Sequence, residues 1–293
     1  MIRREKLILA VPVVLGVLAG TSLAVLGIIA VRQPQTPLRV PVAEDHYDGS
    51  DLPAADLVGV FQKGVGQPAE WTGQWAQFRG PRLDGVSPDS PPLVRKLPAS
   101  GLKRLWEVPA GDGYGGPAVR DGRLFLLDHD PERHLDVIRC MSPSDGPDIW
   151  RRSYAVDITR NHGITRTVPA VSENVVVTLG PKCHVVACDP ASGDYLWSID
   201  LVRQYRTVVP PWYAGQCPLI DEGRVILAPG GTSLMIAVEE RTGRVIWSAP
   251  NPRNWAMTHV SIVPMTFAGR KMYLYCGSGG VAGIDAQTGE LLW

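Results

Sequence analysis

The side chains able to do chemistry in this chain are few and scattered. His162 and His259 could ligate a metal or move a proton near neutrality, but they stand far apart in sequence and neither has a neighbouring carboxylate. The cysteines (140, 183, 188, 217 and 276) are odd in number and form no Cys-x-x-Cys, which argues against a zinc site or a disulfide framework. Cys183 and Cys188 fall on one predicted strand, on opposite faces roughly 16 Å apart, too far for a disulfide. All five read as small buried apolar side chains. Ser278 sits in Gly277-Ser-Gly-Gly280, but Cys276 occupies the position where a nucleophile elbow needs glycine. Neither that run nor Gly111-Asp-Gly-Tyr-Gly115 leads into a helix that could cradle a phosphate. The expectation is therefore no catalytic residue, no resident metal and no cofactor. What remains is contact chemistry. Tyr114, His162, Arg166, Trp212, Tyr213, Trp255 and His259 are the candidates, with Pro210-Pro-Trp-Tyr213 the strongest, because rigid aromatics lose little entropy on binding.

The elements that must position these residues repeat along the chain. Trp106, Trp150, Trp197, Trp247 and Trp293 are spaced 44, 47, 50 and 46 residues apart. Gly146, Gly193, Gly243 and Gly289 each lie four residues before one of the last four tryptophans. Asp189-Pro-Ala-Ser-Gly193, Glu239-Glu-Arg-Thr-Gly243 and Asp285-Ala-Gln-Thr-Gly289 share a fuller pattern, from which Ser142-Pro-Ser-Asp-Gly146 departs. A period of 40 to 50 residues signals a repeat architecture. Within each repeat, short β-branched runs alternate with Gly-containing turns: Asp121-Gly122, Glu173-Asn174, Glu222-Gly223 and Ala268-Gly269. Innermost strands are expected at Pro117–Val119, Val168–Val171, Pro218–Ile220 and Val260–Val263. The contact candidates lie just before them or at their starts. Three further strands complete each repeat, the last carrying the tryptophan.

Four antiparallel strands per repeat define one blade of a β-propeller, so the predicted class is all-β with about four blades over residues 101–293. The tryptophan can seal the joint between neighbouring blades, and glycine supplies the strained turn. Leu102–Trp106 reads as an outermost strand with no blade before it, and Trp293 lies in the outer strand of the fourth. The expectation is a ring left open by this chain, part of a seven- or eight-bladed whole.

Cys188-Asp-Pro-Ala-Ser-Gly-Asp-Tyr-Leu-Trp197 and Ile284-Asp-Ala-Gln-Thr-Gly-Glu-Leu-Leu-Trp293 resemble the tryptophan-docking repeat of the quinoprotein-like propellers. Trp75-Ala-Gln-Phe-Arg-Gly-Pro81 resembles the lead-in of membrane-anchored or secreted bacterial PQQ-like repeat proteins. The resemblance covers residues 71 to 293 and implies fold far more than activity. It implies two functions. One is a non-catalytic platform for a protein or envelope partner, as in the propeller lipoprotein of outer-membrane protein assembly. The other is an alcohol dehydrogenase holding PQQ and calcium, although the vicinal cysteines and acidic cluster of such enzymes have no match here.

The N-terminus has a separate identity. Leu7 to Val31 carries no charge, and such a stretch is long enough to span a hydrocarbon core of about 30 Å. Arg3, Arg4 and Lys6 precede it, which predicts an anchor over 7–31 with residues 1–6 in the cytoplasm; the rival is a cleaved signal peptide, whose apolar core of about 7 to 15 residues is shorter than this run. Residues 32–70 read as a Pro-rich spacer, and 71–100 as a lead-in segment covering one end of the fold. The placement expected is the bacterial inner membrane, with the propeller in the periplasm or outside the cell. The 29 basic and 29 acidic residues cancel, and Arg151-Arg152 and Arg203 to Arg206 are too sparse for a nucleic-acid stripe.

Overall fold

The computed structural model describes residues 19–23, 54–70, 73–87, 94–159 and 164–293. The chain divides into two compact units, Met1–Val42 and Ala43–Trp293. In the first, residues 19–23 are helical. The rest of the anchor expected over 7–31 lies outside the described residues, among which no helix is long and apolar enough to cross a membrane.

Among its described residues the second unit is all-β apart from one short helix, and the four sheets are antiparallel meanders. Blade one contains β1 (Val60–Lys63), β2 (Ala118–Arg120), β3 (Arg123–Asp130), β4 (Leu135–Met141) and β5 (Asp148–Ala155), in the spatial order β1-β5-β4-β3-β2. Blade two runs β6 (Ala170–Val171), β7 (Val176–Leu179), β8 (His184–Cys188) and β9 (Tyr195–Asp200). Helix α1 (Leu201–Tyr205) leads to blade three: β10 (Leu219–Asp221), β11 (Arg224–Leu227), β12 (Ser233–Glu239) and β13 (Val245–Pro250). Blade four has β14 (Val263–Phe267), β15 (Arg270–Gly277) and β16 (Gly280–Asp285), with Leu291 bridged to Ile284 at its outer edge.

Strand alternation explains the packing, because side chains at i and i+2 share a face. In blade two, Val176, Val186 and Cys188 face blade one, where they join Phe125, Ile138, Cys140 and Trp150. Val177, Leu179, Val185 and Ala187 face blade three and meet Val225, Leu227, Ile236 and Val238. Blades three and four are joined in the same way by Ile226, Met235 and Trp247 against Tyr273, Tyr275 and Ile284. The cores therefore lie between sheets. Cys188 and Cys183 fall in different cores, and all five cysteines are free thiols.

Each joint uses one device. The Nε1 of Trp106 donates to Pro143 O, Trp150 to Pro190 O, Trp197 to Glu240 O and Trp247 to Ala286 O, at 2.8 to 3.2 Å. Every acceptor lies three residues before the glycine of the next turn. At Gly193 (φ 76°), a Cβ would come within 2.6 Å of the Trp150 ring, so bare backbone is required there. Asp189, Glu239 and Asp285 each accept two backbone N–H bonds within their own turns. In blade one, Ser142 donates to Asp145 instead.

Four sequence expectations need correction. Leu102–Trp106 is in no sheet; Trp106 docks on Gly146 without strand pairing. The first strand of blade four is Val263–Phe267 rather than 260–263, because the hairpin at Ala268-Gly269 pairs the residues next to it. Glu173-Asn174 does not adopt positive φ; the Ser172 hydroxyl accepts from Asn174 and Val175 N–H and makes that turn. The stretch read as a spacer up to residue 70 contains β1, which pairs with β5 and closes the outer edge of blade one.

From β1 the chain crosses the blades toward the centre. Ala69 N–H donates to Gly122 O, and Trp75 pairs with Val119 on the innermost strand of blade one. Ala76 O accepts from Val171 N–H in blade two, and Gln77 Oε1 accepts from Ile220 N–H in blade three. Leu83 packs on the core between blades three and four. The lead-in segment is thus a strap bonded to the inner edges of three successive blades.

Candidate functional site

A four-stranded meander has two ends. Its first and third turns lie at one, here the turn face. Its middle turn and its link to the next blade lie at the other, the linker face. The strap reaches the inner strands beside their first turns, so it belongs to the turn face. Every described contact candidate lies on the links, at the opposite end.

The links are tied to one another. Tyr114 N–H donates to Thr165 O at 2.6 Å, which lays the link entering blade one beside that entering blade two. The Arg166 guanidinium then sits 5.8 Å from the centroid of the Tyr114 ring, which is 68% exposed. In the third link, Asp200 caps α1 by accepting from Arg203 N–H, and Arg206 (φ 54°) ends it. Pro210 O accepts from Tyr213 N–H, a turn that separates two neighbouring aromatics. Tyr213 is buried, its hydroxyl donating to Thr159 O and its ring 5.4 Å from Lys182 Nζ. Trp212 points outward, 45% exposed. His259 Nε2 lies 2.8 Å from Tyr213 O and so ties the fourth link to the third.

Trp255 is held from both sides. Asn251 accepts from its N–H and donates to its carbonyl. Its indole fills the space over Gly277, Gly279 and Gly280, where a Cβ at Gly279 would lie 2.0 Å from Nε1. Arg253 stacks 6.0 Å above that ring. The structure therefore pairs Tyr114 with Arg166 and Tyr213 with His259, and sets Trp255 on blade four. His162 lies outside the described residues.

Two features escaped the sequence reading. Lys182 and Arg253 complete cation–π pairs; Arg253, two residues from Trp255, was the only local hint. A buried polar cluster also lies at the joint of blades one and two. Asp136 Oδ1 is 3.0 Å from His129 Nδ1, and Asp136 Oδ2 accepts from Tyr154 OH at 3.2 Å. The Tyr154 ring meets His184 edge-on at 5.9 Å. Burial pushes the Asp136 carboxyl up and the His184 imidazole down, each toward its neutral form. The signal was an aspartate inside the apolar run Leu135-Asp-Val-Ile138. This cluster fills the joint between the two blades.

A calcium-bound quinone would need a cluster of oxygen ligands. Calcium needs six to eight oxygens, several from carboxylates. Among the described residues no three His, Cys, Asp or Glu side chains converge on a point that could hold a metal.

Sheets joined by docked tryptophans, with contact residues on the links, define a PQQ-like repeat protein of the β-propeller type. The family described as outer membrane protein assembly factor BamB matches residues 134–293, more than half of the chain, and the chain belongs to that family. The comparison with curated proteins gave no match. Among solved structures, BamB from Moraxella catarrhalis is similar at 16% identity and a TM-score of 0.48, covering 67% of this chain and 56% of its own. A quinohemoprotein alcohol dehydrogenase from Comamonas testosteroni is similar at 16% identity and a TM-score of 0.44, covering 61% and 34%. A europium-containing methanol dehydrogenase gives 11% identity and a TM-score of 0.35, covering 63% and 51%. The chain thus spans about half of the BamB and a third of the quinohemoprotein, and these likenesses carry no argument about activity.

Proposed function

We propose that this protein is a non-catalytic binding platform of the bacterial envelope, which presents its linker face to another protein. The observation that carries this reading is the arrangement of Tyr114, Trp212 and Trp255 on one end of the blades, beside Arg166 and Arg253. Tyr114 and Trp212 are exposed and Trp255 half-buried, and exposed aromatics on such links suit recognition, since they add contact area with little entropy to lose. The family's description as an assembly factor supports a protein as partner. The apolar run Leu7 to Val31 behind Arg3, Arg4 and Lys6 supports a single-pass anchor in the inner membrane, with the blades on the periplasmic or external side.

The test is co-purification from solubilised envelope, with the full chain and a Tyr114→Ala, Trp212→Ala double variant at equal expression. The platform reading expects a defined partner recovered with the parent chain and lost with the variant. Equal recovery by both would remove the linker face from the account. Turnover of an alcohol with a dye acceptor, after loading with PQQ and calcium, would replace the platform with an oxidoreductase.

A further inference from the structure

The platform reading leaves the polar cluster between blades one and two unused. Blade one supplies His129 from β3, Asp136 from β4 and Tyr154 from β5, all buried. Blade two supplies His184 at the start of β8, also buried, and Gly180. A Cβ at Gly180 would lie 2.7 Å from the Tyr154 hydroxyl and 2.8 Å from Asp136 Oδ2, so the two blades meet closely here. Asp136 spends both oxygens on its own blade, one toward His129 and one on the Tyr154 hydroxyl. His184 Nδ1 is buried with no hydrogen-bond partner among the described residues.

The charged groups around His184 do not supply that partner. Asp200, its cross-strand neighbour on β9, accepts from Arg203 N–H as the cap of α1. Lys182, in the turn before β8, lies over the Tyr213 ring. Asp136 is bonded to His129 and to Tyr154, whose ring meets His184 edge-on. The site therefore suits a neutral imidazole. A proton added at Nδ1 would create a buried cation whose new donor has no acceptor. Burial accordingly holds the His184 imidazole below its ordinary value of 6.5, against the attraction of Asp200 and Asp136.

The link between the two blades is packed on this joint. Val156, Ile158 and Ile164 share its core with Phe125, Tyr154 and Val176. Thr167 Oγ1 donates to Leu179 O, next to Gly180, and Thr159 O accepts from the Tyr213 hydroxyl.

We propose that this joint is an acid-sensitive latch: protonation of His184 opens it and frees the link at residues 156–159 and 164–169. In the open joint the imidazole reaches water and takes up its proton at the ordinary value, so protonation favours the open form. The contribution of His184 to closure is complete above about pH 6.5 and is lost as pH falls below it. Asp136 acts in the opposite direction. Burial raises its carboxyl, so its contribution is present in acid and is lost as pH rises through the raised value. Opening in acid thus belongs to His184. The latch does not rest on the platform reading, since the chain alone, without a partner, reports it.

The test is hydrogen exchange of the full chain in detergent, with each rate divided by the unfolded-chain rate at the same pH. From about pH 7.5 to about 5.5, opening of β5, β7 and β8 should rise severalfold, up to about tenfold, the limit for a group titrating near 6.5 only when open. Blade four, at β15 and β16, should change by less than about twofold. His184→Gln should flatten the response of β7 and β8 to less than about twofold, while Asp136→Asn should keep it.

Circular dichroism at neutral pH confirms that each variant is folded. If His184→Gln is not, the comparison of blades within the parent chain decides. A change below about twofold at β7 and β8, or an equal rise in blade four, would overturn the latch. So would a response that survives in His184→Gln and vanishes in Asp136→Asn.

Discussion

The turn face and the linker face are opposite ends of the same strands, yet they are built on different rules. On the turn face one solution recurs: a carboxylate accepts turn N–H groups, a glycine takes positive φ, and the preceding tryptophan lies on that glycine. Its polar groups are largely consumed internally, and the strap binds three inner strands there. On the linker face no two links are alike. One holds a capped helix followed by a Pro-Pro turn, and the next an indole wedged over three glycines. Repetition marks what every blade needs in order to stack. Irregularity marks what stacking does not require, and there the exposed aromatics and cations lie.

The largest expected effect breaks the repeated face. Trp197 is 6% exposed, covers Gly243 and donates to Glu240 O. Trp197→Ala should cost about 3–5 kcal/mol in chemical denaturation, from lost burial and the cavity left behind. A cost below about 1 kcal/mol would mean that the joint is held otherwise.

The strap is next. Gln77→Ala removes the acceptor for Ile220 N–H, and should cost about 1–2 kcal/mol with faster hydrogen exchange at that amide. Unchanged exchange at Ile220 would detach the strap from blade three.

A smaller effect is confined to acid. The Arg270 guanidinium, helped by turn N–H groups, holds the Asp285 carboxyl at about 2. Its unfolded value is higher, so the stabilisation is complete above about pH 4 and is lost as pH falls toward 2. Denaturation of Asp285→Asn across that window should show a flatter pH dependence than the parent; identical slopes would deny the ion pair a role. The smallest stability effect belongs to the other face. Trp212→Ala should leave the unfolding free energy within about 0.5 kcal/mol, because the ring points outward.

The joints were legible in the sequence because the same demand recurs at each of them, so Trp150, Trp197 and Trp247 could be aligned with the glycines they cover. β1 was not legible, since Val60-Phe-Gln-Lys63 has meaning only beside β5, some ninety residues later. Nor was the path of the strap, whose bonds at positions 75 and 76 are made by backbone. β14 was placed three residues early because its apolar residues continue upstream through Val260 and Ile262 without a turn signal. On the linker face the aromatics stood out by type, but their pairing did not. Arg166 meets Tyr114 across two links, and Lys182 meets Tyr213 from a middle turn, both contacts that depend on the assembled blades.

The contrast between the faces can be tested directly by photo-crosslinking in living cells. A benzophenone side chain would be placed singly at positions 212 and 253 on the linker face, and at 192 and 241 on the turn face. All four positions are exposed. Light-dependent adducts of one defined mass from 212 and 253, with none from 192 and 241, are the predicted result. The same adduct from the turn-face positions, with silence at 212 and 253, would contradict it.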